Sequence, residues 1–236
     1  MINYLSNYFK DWNLFEKIWL GLSTLIILAL SYHWHDTWYG VIASLTGIWC
    51  VVLVAKGRIS NYYVGIVNVL FYAYVALQWR YYGEVMLNIG YFLPMQFVGL
   101  YIWNKNKDKK KTDSVVVKTL TNKSRIIWVI FSVVGVLIYG FILKAMGGKL
   151  PFADSTSTIL SVIAMVLMAY RFLEQWVLWI VVDVVTVIMW FAVIADGGND
   201  IAILVMWMAF LVNAVYGLIN WIKMYRRGNE NRIYGR

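Results

Sequence analysis

The fold is decided by Ile126–Met146, which reads IIWVIFSVVGVLIYGFILKAM and holds a single charged residue, Lys144, near its end. A helix of about 17–25 mostly apolar residues is long enough to cross the hydrocarbon core of a bilayer. Seven further runs of this kind lie on either side: Lys17–Tyr32, Trp38–Ala55, Asn61–Trp79, Val85–Trp103, Ser157–Tyr170, Gln175–Ala195 and Ile201–Ile222. The sequence therefore predicts an all-α integral membrane protein with about eight transmembrane helices.

Composition favours a membrane protein over a soluble one. The chain has 236 residues, of which 61% are hydrophobic and 14% are charged, and this excludes an ordinary soluble domain. Ten-residue strands of alternating polarity do not occur, so an outer-membrane barrel is not expected. The first run has no small-residue cleavage site after it, and we interpret it as a retained helix rather than a signal peptide.

The distribution of basic residues predicts the orientation. The net charge of +9 is gathered in alternate loops, so topology explains it better than nucleic-acid binding does. If the amino terminus is cytoplasmic, 18 of the 21 Lys and Arg residues fall on the cytoplasmic side, and the exceptions are Arg80, Lys144 and Lys149. Positive charge accumulates on the cytoplasmic side of membrane proteins. Both termini are therefore predicted to be cytoplasmic.

Two copies of one skeleton indicate an internal repeat. The fourth run ends on GLYIWNK (99–105) and the eighth on GLINWIK (217–223), which share Gly-Leu-x-x-Trp-x-Lys. Aligned from this skeleton, runs two to four match runs six to eight, with Asn68 opposite Asp183. Each triple has an odd number of spans, so the single helix between the triples gives both the same orientation. Transporters with parallel halves of this kind bind substrate between the halves, near the midplane.

The repeat gives the expected organisation of the chain. It comprises an N-terminal segment with an extra transmembrane helix (1–37), a first three-helix repeat (38–103), a basic cytoplasmic linker (104–125), a connecting helix (126–152), a second three-helix repeat (153–223) and a basic cytoplasmic tail (224–236). The linker is interpreted as a solvated loop that fixes the orientation, in preference to a lipid-binding switch. The predicted class is thus an extra helix plus a 3+1+3 parallel pseudo-repeat.

Asp183 is the one acid inside the apolar runs, so its presence there needs a reason. Gln175, Trp176 and Trp179 precede it at spacings that place all four side chains on one helix face. A carboxylate in a span marks a substrate or ion path, or else it is hydrogen-bonded between helices and holds the bundle together. The sequence leaves both interpretations open.

Further amides and phenols occur in both repeats. They are Asn61 and Asn68 in the third run, Asn88, Tyr91 and Gln96 in the fourth, and Asn213 and Tyr216 in the eighth. Amides and phenols that face aromatic planes suit a flat, polar, sugar-bearing ligand, whereas the same residue types also join helices by hydrogen bonds. These seven residues and the four on the Asp183 face make up the eleven candidate substrate-binding residues.

At these positions the chain resembles the PnuC family of nicotinamide riboside transporters. The resemblance covers most of the chain, from about residue 41 to residue 221. It rests on Trp176-x-x-Trp179-x-x-x-Asp183, on the three-one-three plan, and on the ending Asn213-x-x-Tyr216-Gly217-x-x-x-Trp221.

The resemblance implies a fold, a function and partners. It implies facilitated uptake of nicotinamide riboside for NAD synthesis, in the inner membrane of a bacterium. It also implies a SWEET-like arrangement of three-helix units and a homo-oligomer such as a trimer. The first half has Asn61 and Val64 where the second has Trp176 and Trp179, so no tryptophan function is carried onto the first half.

Other functions stay open to different degrees. Thiamine, riboflavin and deoxynucleosides also present a ring and hydroxyls, and a non-transporting scaffold subunit would also be rich in surface aromatics. An enzyme is not expected, because His-Glu-x-x-His, Gly-x-Ser-x-Gly and paired carboxylates in the spans do not occur. Cys50 is the single cysteine, and His33 and His35 lie together in an external turn. Neither a metal site nor a cofactor is therefore expected.

Overall fold

The computed structural model describes residues 12–33, 37–78, 85, 87–108, 111–147, 150–195 and 201–234. Within them, eight α-helices follow one another: α1 (Leu14–His33), α2 (Trp38–Ala55), α3 (Asn61–Gln78), α4 (Leu93–Lys105), α5 (Asn122–Ala145), α6 (Pro151–Ala169), α7 (Gln175–Ala195) and α8 (Ile201–Tyr234). A π-helical turn, Asn88–Phe92, comes immediately before α4, and two short antiparallel strands, β1 (Lys107–Asp108) and β2 (Lys111–Val115), follow it. The prediction of eight helices is confirmed. Arg80, Lys149 and His35, which figured in the predicted topology, lie outside the described residues.

Several of these helices are built to cross a bilayer. By length and composition, α1, α2, α5 and α6 qualify within the described part of the chain, and α7 contains a shorter apolar stretch, Gln175–Met189. The most apolar is α5, with a mean hydropathy of 2.7, and large side chains such as Phe131 and Phe141 are exposed along it. Exposed apolar side chains over a full helix length are what contact with lipid requires.

The helices α6 and α8 extend well beyond the predicted runs. The helix α6 begins six residues before the predicted run, at Pro151, because proline suits the first turn of a helix. Its early polar residues are bonded along or between helices, as in the bond from the Ser155 hydroxyl to the Val136 carbonyl at 2.7 Å. The helix α8 continues to Tyr234 through much of the predicted tail. Its 34 residues span roughly 51 Å at 1.5 Å per residue, more than the hydrocarbon core needs.

The chain forms two compact units. The first comprises the chain up to Leu53 together with Asn61–Leu93. In it, the indole of Trp49 on α2 donates to the Thr24 hydroxyl on α1 at 3.3 Å. The amide of Asn68 on α3 donates to the Ala43 carbonyl on α2 at 2.7 Å. Polar bonds thus link the extra helix α1 and the helix α3 to α2.

The second unit comprises Val54–Ser60 and the chain from Pro94 onward. Within it, α5 packs on α6, α6 on α7, and α7 on α8. The segment Val54–Ser60 is part of the second unit because two side chains of α8 donate hydrogen bonds to it. The Asn220 amide donates to the Ala55 carbonyl at 2.9 Å, and the Trp221 indole donates to the Val54 carbonyl at 2.9 Å.

Two loops of the second unit have the same conformation. Gly57, after α2, has φ 67°, and Arg171, after α6, has φ 66°. The residue numbers of this pair differ by 114, as do those of the first residues of α3 and α7. An internal repeat predicts such a match. The loops make Asn61 and Gln175 equivalent, one position away from the predicted pairing of Asn68 with Asp183. The Gly-Leu-x-x-Trp-x-Lys skeletons differ by 118 in residue number, so the spacing between these loops and the last helices differs by four residues.

The linker between α4 and α5 is bonded to both loops. The backbone N–H of Val115 donates to the Gly57 carbonyl, and that of Lys118 donates to the Arg171 carbonyl, each at 3.1 Å. The Lys118 ammonium lies 4.3 Å from the ring centroid of Phe172. Burial and the neighbouring Arg171 charge lower the pKa of Lys118. This part of the linker is therefore ordered structure, whereas the sequence suggested a solvated loop.

Glu174 holds the far end of the linker. Both of its carboxylate oxygens accept from the Leu120 N–H at 3.1 Å. One of them also accepts from Arg125 Nε and Nη2, each at 2.9 Å. The ion pair is partly exposed and contributes at most about 1 kcal/mol. The backbone bond matters more, because a buried N–H left without an acceptor costs roughly 1–3 kcal/mol.

We expect Glu174→Ala to loosen the linker and expose its lysines to trypsin. Cleavage after Lys118 and Lys123 should accelerate several-fold relative to the unsubstituted protein, as followed by mass spectrometry of timed digests in detergent. Asp154→Ala is the matched control, since that carboxylate is exposed on α6 and does not contact the linker. An unchanged cleavage rate in Glu174→Ala would contradict the anchoring role.

Candidate functional site

Three tryptophans form a buried cluster in the second unit. Trp103 on α4 and Trp221 on α8 are fully buried, with ring centroids 5.7 Å apart. Trp176, the second residue of α7, meets the Trp221 ring edge-on at 5.9 Å. The Trp103 indole donates to the Met168 carbonyl at 3.0 Å, just as the Trp221 indole donates to that of Val54. The cluster therefore fixes the C-terminal end of α4 and the Trp221 segment of α8 next to the start of α7.

The first two residues of α7 carry buried polar groups with unused bonding capacity. Gln175 is completely buried, and neither its amide oxygen nor its amide nitrogen has a partner among the described residues. The adjacent Trp176 is 3% exposed, and its indole N–H is likewise unpartnered there. A buried amide without a partner costs roughly 1–3 kcal/mol. Such groups indicate a place where something else supplies the bonds.

The remaining residues of the α7 face lie further along the helix. Trp179 is half-buried, one turn beyond Trp176, and Asp183 is 4% exposed. Asp183 lies eight positions after Gln175, about 12 Å along the axis. Within the described residues Asp183 has neither a hydrogen bond nor an ion pair. One position-specific link between helices is made by Thr186, whose hydroxyl lies 3.2 Å from that of Ser157 on α6.

Two neighbouring helices of the second unit contribute the other candidates. Gln96, Gly99 and Trp103 are the buried residues of α4, at a spacing that puts them on one face. The Gln96 side-chain oxygen is buried and without a partner in the described region. On α8, Asn213 is buried and Tyr216 is half-buried. The structure thus brings Gln96, Gln175, Trp176, Trp179, Asp183, Asn213 and Tyr216 into one unit.

The other four predicted residues belong to the first unit. Asn61 is fully buried at the start of α3, and Asn68 bonds α3 to α2 through the Ala43 carbonyl. Asn88 and Tyr91 lie in the π-helical turn, where Asn88 is buried. A π-turn is costly and often marks functional positions. No feature of the sequence predicted this π-turn, although two predicted site residues lie within it.

The arrangement in the second unit suits binding rather than bond-breaking chemistry. It offers amide, indole and carboxyl groups, which donate and accept hydrogen bonds. Within the described residues no group of three or more His, Cys, Asp or Glu side chains could hold a metal ion. Asp183 is the one acidic residue among these candidates, so a paired acid and base is not available there.

Comparison with known proteins gives concordant matches. A family model described as nicotinamide mononucleotide transporter matches residues 37–223. A protein of Neisseria mucosa named nicotinamide riboside transporter PnuC is 41% identical over 224 residues, covering 93% of this chain and 85% of the relative. A protein of Haemophilus influenzae with the same name is 35% identical over 221 residues, covering 93% and 95%. A solved structure described as the vitamin B3 transporter PnuC matches with a TM-score of 0.79 and 38% identity, covering 95% of this chain and 97% of the other.

The unused bonding capacity of Gln175 predicts an unusual response to substitution. In Gln175→Leu, a side chain of similar size removes a buried unpartnered amide, so the apparent Tm of the purified protein should stay level or rise. Asn68→Leu is the contrasting variant, because it deletes the 2.7 Å bond to Ala43 and should lose roughly 0.5–1.5 kcal/mol. Equal losses of thermal stability in the two variants would show that Gln175 joins helices as Asn68 does.

Proposed function

This chain belongs to the nicotinamide mononucleotide transporter family, and on that premise we propose that it carries nicotinamide riboside across the membrane by facilitated diffusion. The relatives' names identify the riboside as their cargo. The observation in this molecule that carries the proposal is the set of buried, unpartnered polar groups in the second unit. They belong to Gln96, Gln175 and Trp176, which are three of the residues that the sequence predicts to bind substrate.

The chemistry of these groups is complementary to the riboside. Nicotinamide riboside has a carboxamide, ribose hydroxyls and a pyridinium cation. The Gln175 amide and the Gln96 oxygen can exchange hydrogen bonds with the carboxamide and the hydroxyls. The indole faces of Trp176 and Trp179 attract a cation, and the Asp183 carboxylate, when ionised, balances its charge. Asn213 and Tyr216 are proposed to complete the contacts of the second unit, and Asn61, Asn68, Asn88 and Tyr91 to be those of the first.

We propose that the basic linker and both termini face the cytoplasm of a bacterial cell, in its inner membrane. The excess of Lys and Arg on that side supports this orientation. The proposed cargo passes unmodified, so the protein is proposed to have no enzymatic activity. A homotrimer, which the family resemblance implies, is part of the proposal, and light scattering of the purified protein measures it.

A uniport mechanism is consistent with the charges of the chain. The riboside is a cation, and a membrane potential negative inside favours its entry by about 2.3 kcal/mol per 100 mV. Phosphorylation inside the cell would then trap it, so no coupling ion is required. Among the candidate contacts there is no Lys or Arg. The phosphate of the mononucleotide would therefore be desolvated without a cationic partner, at a cost of several kcal/mol.

We expect the purified protein to take up the riboside in proteoliposomes with a potassium-clamped potential and no proton or sodium gradient. Uptake should follow the potential, and nicotinamide mononucleotide should enter at least about tenfold more slowly, because it carries the unpaired phosphate. Chromatography of the recovered solute tests whether it is unmodified. A requirement for either ion gradient, or equal entry of the mononucleotide, would overturn the uniport proposal. Recovery of modified solute would indicate an enzyme. If none of riboside, thiamine, riboflavin and deoxynucleosides is taken up, the result would indicate a scaffold.

Binding measurements test the aromatic contact separately. We expect Trp179→Ala to remove most affinity for the riboside, measured by calorimetry, because no neighbouring ring replaces the stacking surface. The protein should stay monodisperse, since Trp179 is only half-buried. Trp128→Ala on α5 is the control, as that half-buried tryptophan lies on a helix without candidate site residues. An unchanged Kd in Trp179→Ala would remove Trp179 from the site.

A further inference from the structure

The ring of Trp176 rests directly on Gly217 of α8. A Cβ atom at Gly217 would lie 2.5, 2.6 and 2.7 Å from the Cη2, Cζ3 and Cζ2 atoms of Trp176. Distances below 3.0 Å do not occur between a real Cβ and its neighbours. All three atoms belong to the six-membered ring. The missing side chain of Gly217 is therefore what makes room for that end of the indole.

Trp221 also packs against the Trp176 ring, and the position of Trp221 is itself fixed by two further contacts. Its ring meets that of Trp176 at an interplanar angle of 74°, the edge-to-face geometry that aromatic pairs prefer. The bond from the Trp221 indole to the Val54 carbonyl and the contact with the buried Trp103 prevent it from turning. Because Trp221 is held by these two contacts, it fixes the position of the Trp176 ring that packs against it.

These contacts enclose the benzene end of Trp176 and leave its indole N–H buried without a partner. We propose that Gly217 and Trp221 are positioning residues, which set the Trp176 indole so that its N–H donates to an acceptor oxygen of the transported riboside. This inference rests on the proposed function. Neither positioning residue contacts the ligand. Each acts through Trp176, so the expected effect of its substitution is on affinity as well as on packing.

The chain contains a matched control for the steric part of this argument. At Gly140 on α5, a Cβ would overlap the ring of Phe152 on α6 as closely as one at Gly217 would overlap Trp176. Both glycines are buried in membrane helices of the same unit. Gly140→Ala thus imposes the same kind of overlap where no candidate site residue is involved.

The experiment compares Gly217→Ala with Gly140→Ala for thermal stability and for the Kd of nicotinamide riboside. Both variants should lose stability, and only Gly217→Ala should bind about tenfold more weakly, the effect of one lost hydrogen bond of about 1.4 kcal/mol. Adding Trp176→Phe to Gly217→Ala should restore stability, because the smaller ring clears the Cβ. It should not restore affinity, because phenylalanine has no N–H.

Each outcome decides a different question. An unchanged Kd in folded Gly217→Ala, or an equal loss of affinity in Gly140→Ala, would overturn the positioning role while leaving the proposed function intact. No binding by the unsubstituted protein would overturn the proposed function and this inference together. If Gly217→Ala does not fold, Trp221→Phe replaces it, with Trp128→Phe as its control. Weaker binding only in Trp221→Phe then supports the inference, and equal binding overturns it.

Discussion

The hydrogen bonds from two buried indoles to two helix-end carbonyls organise the second unit. The Val54 carbonyl accepts from Gly57 N–H at 2.8 Å and from the Trp221 indole at 2.9 Å. The Met168 carbonyl accepts from Arg171 N–H at 2.9 Å and from the Trp103 indole at 3.0 Å. Each carbonyl thus accepts a bond from the turn that ends its own helix and a second bond from a tryptophan of another helix, α8 for Val54 and α4 for Met168. Carbonyls at a helix C-terminus have no partner within the helix, and in an apolar setting each needs one.

Several other features depend on these helix ends. The residues that follow them, Gly57 and Arg171, both have positive φ and both accept a bond from the linker. Glycine adopts this conformation without strain, whereas an arginine there costs about 1 kcal/mol or more. The Arg171 guanidinium donates to the Val116 carbonyl of the linker at 3.2 Å, which offsets part of that cost. The same turn is therefore maintained by backbone freedom in one loop and by a side-chain bond in the other.

The sequence predicted the parts of the structure that depend on hydrophobic length. The predicted bounds of α2 and α7 coincide with the observed ones, because Trp38, Ala55, Gln175 and Ala195 stand where apolar runs meet polar loops. Hydropathy does not record partners, so it could not reveal the linker bonds to Gly57 and Arg171 or the π-turn at Asn88. The candidate residues came from their chemical types. Which of them already has a helix partner, as Asn68 has, is decided by packing across helices, and one sequence does not contain that information.

The corresponding positions Asn61 and Gln175 show how the segments after the two matching turns differ. Both are completely buried at the start of a helix after the same turn, so the backbone supplies the same setting twice. The following residue is Tyr62 in one case and Trp176 in the other, and the Trp176 ring packs against Gly217. The same backbone setting therefore presents a phenol after one turn and an indole after the other, and these groups differ in ring size and in the polar atom that they carry. The shared turn does not require identical side chains, because Gly57 and Arg171 both adopt it with very different ones.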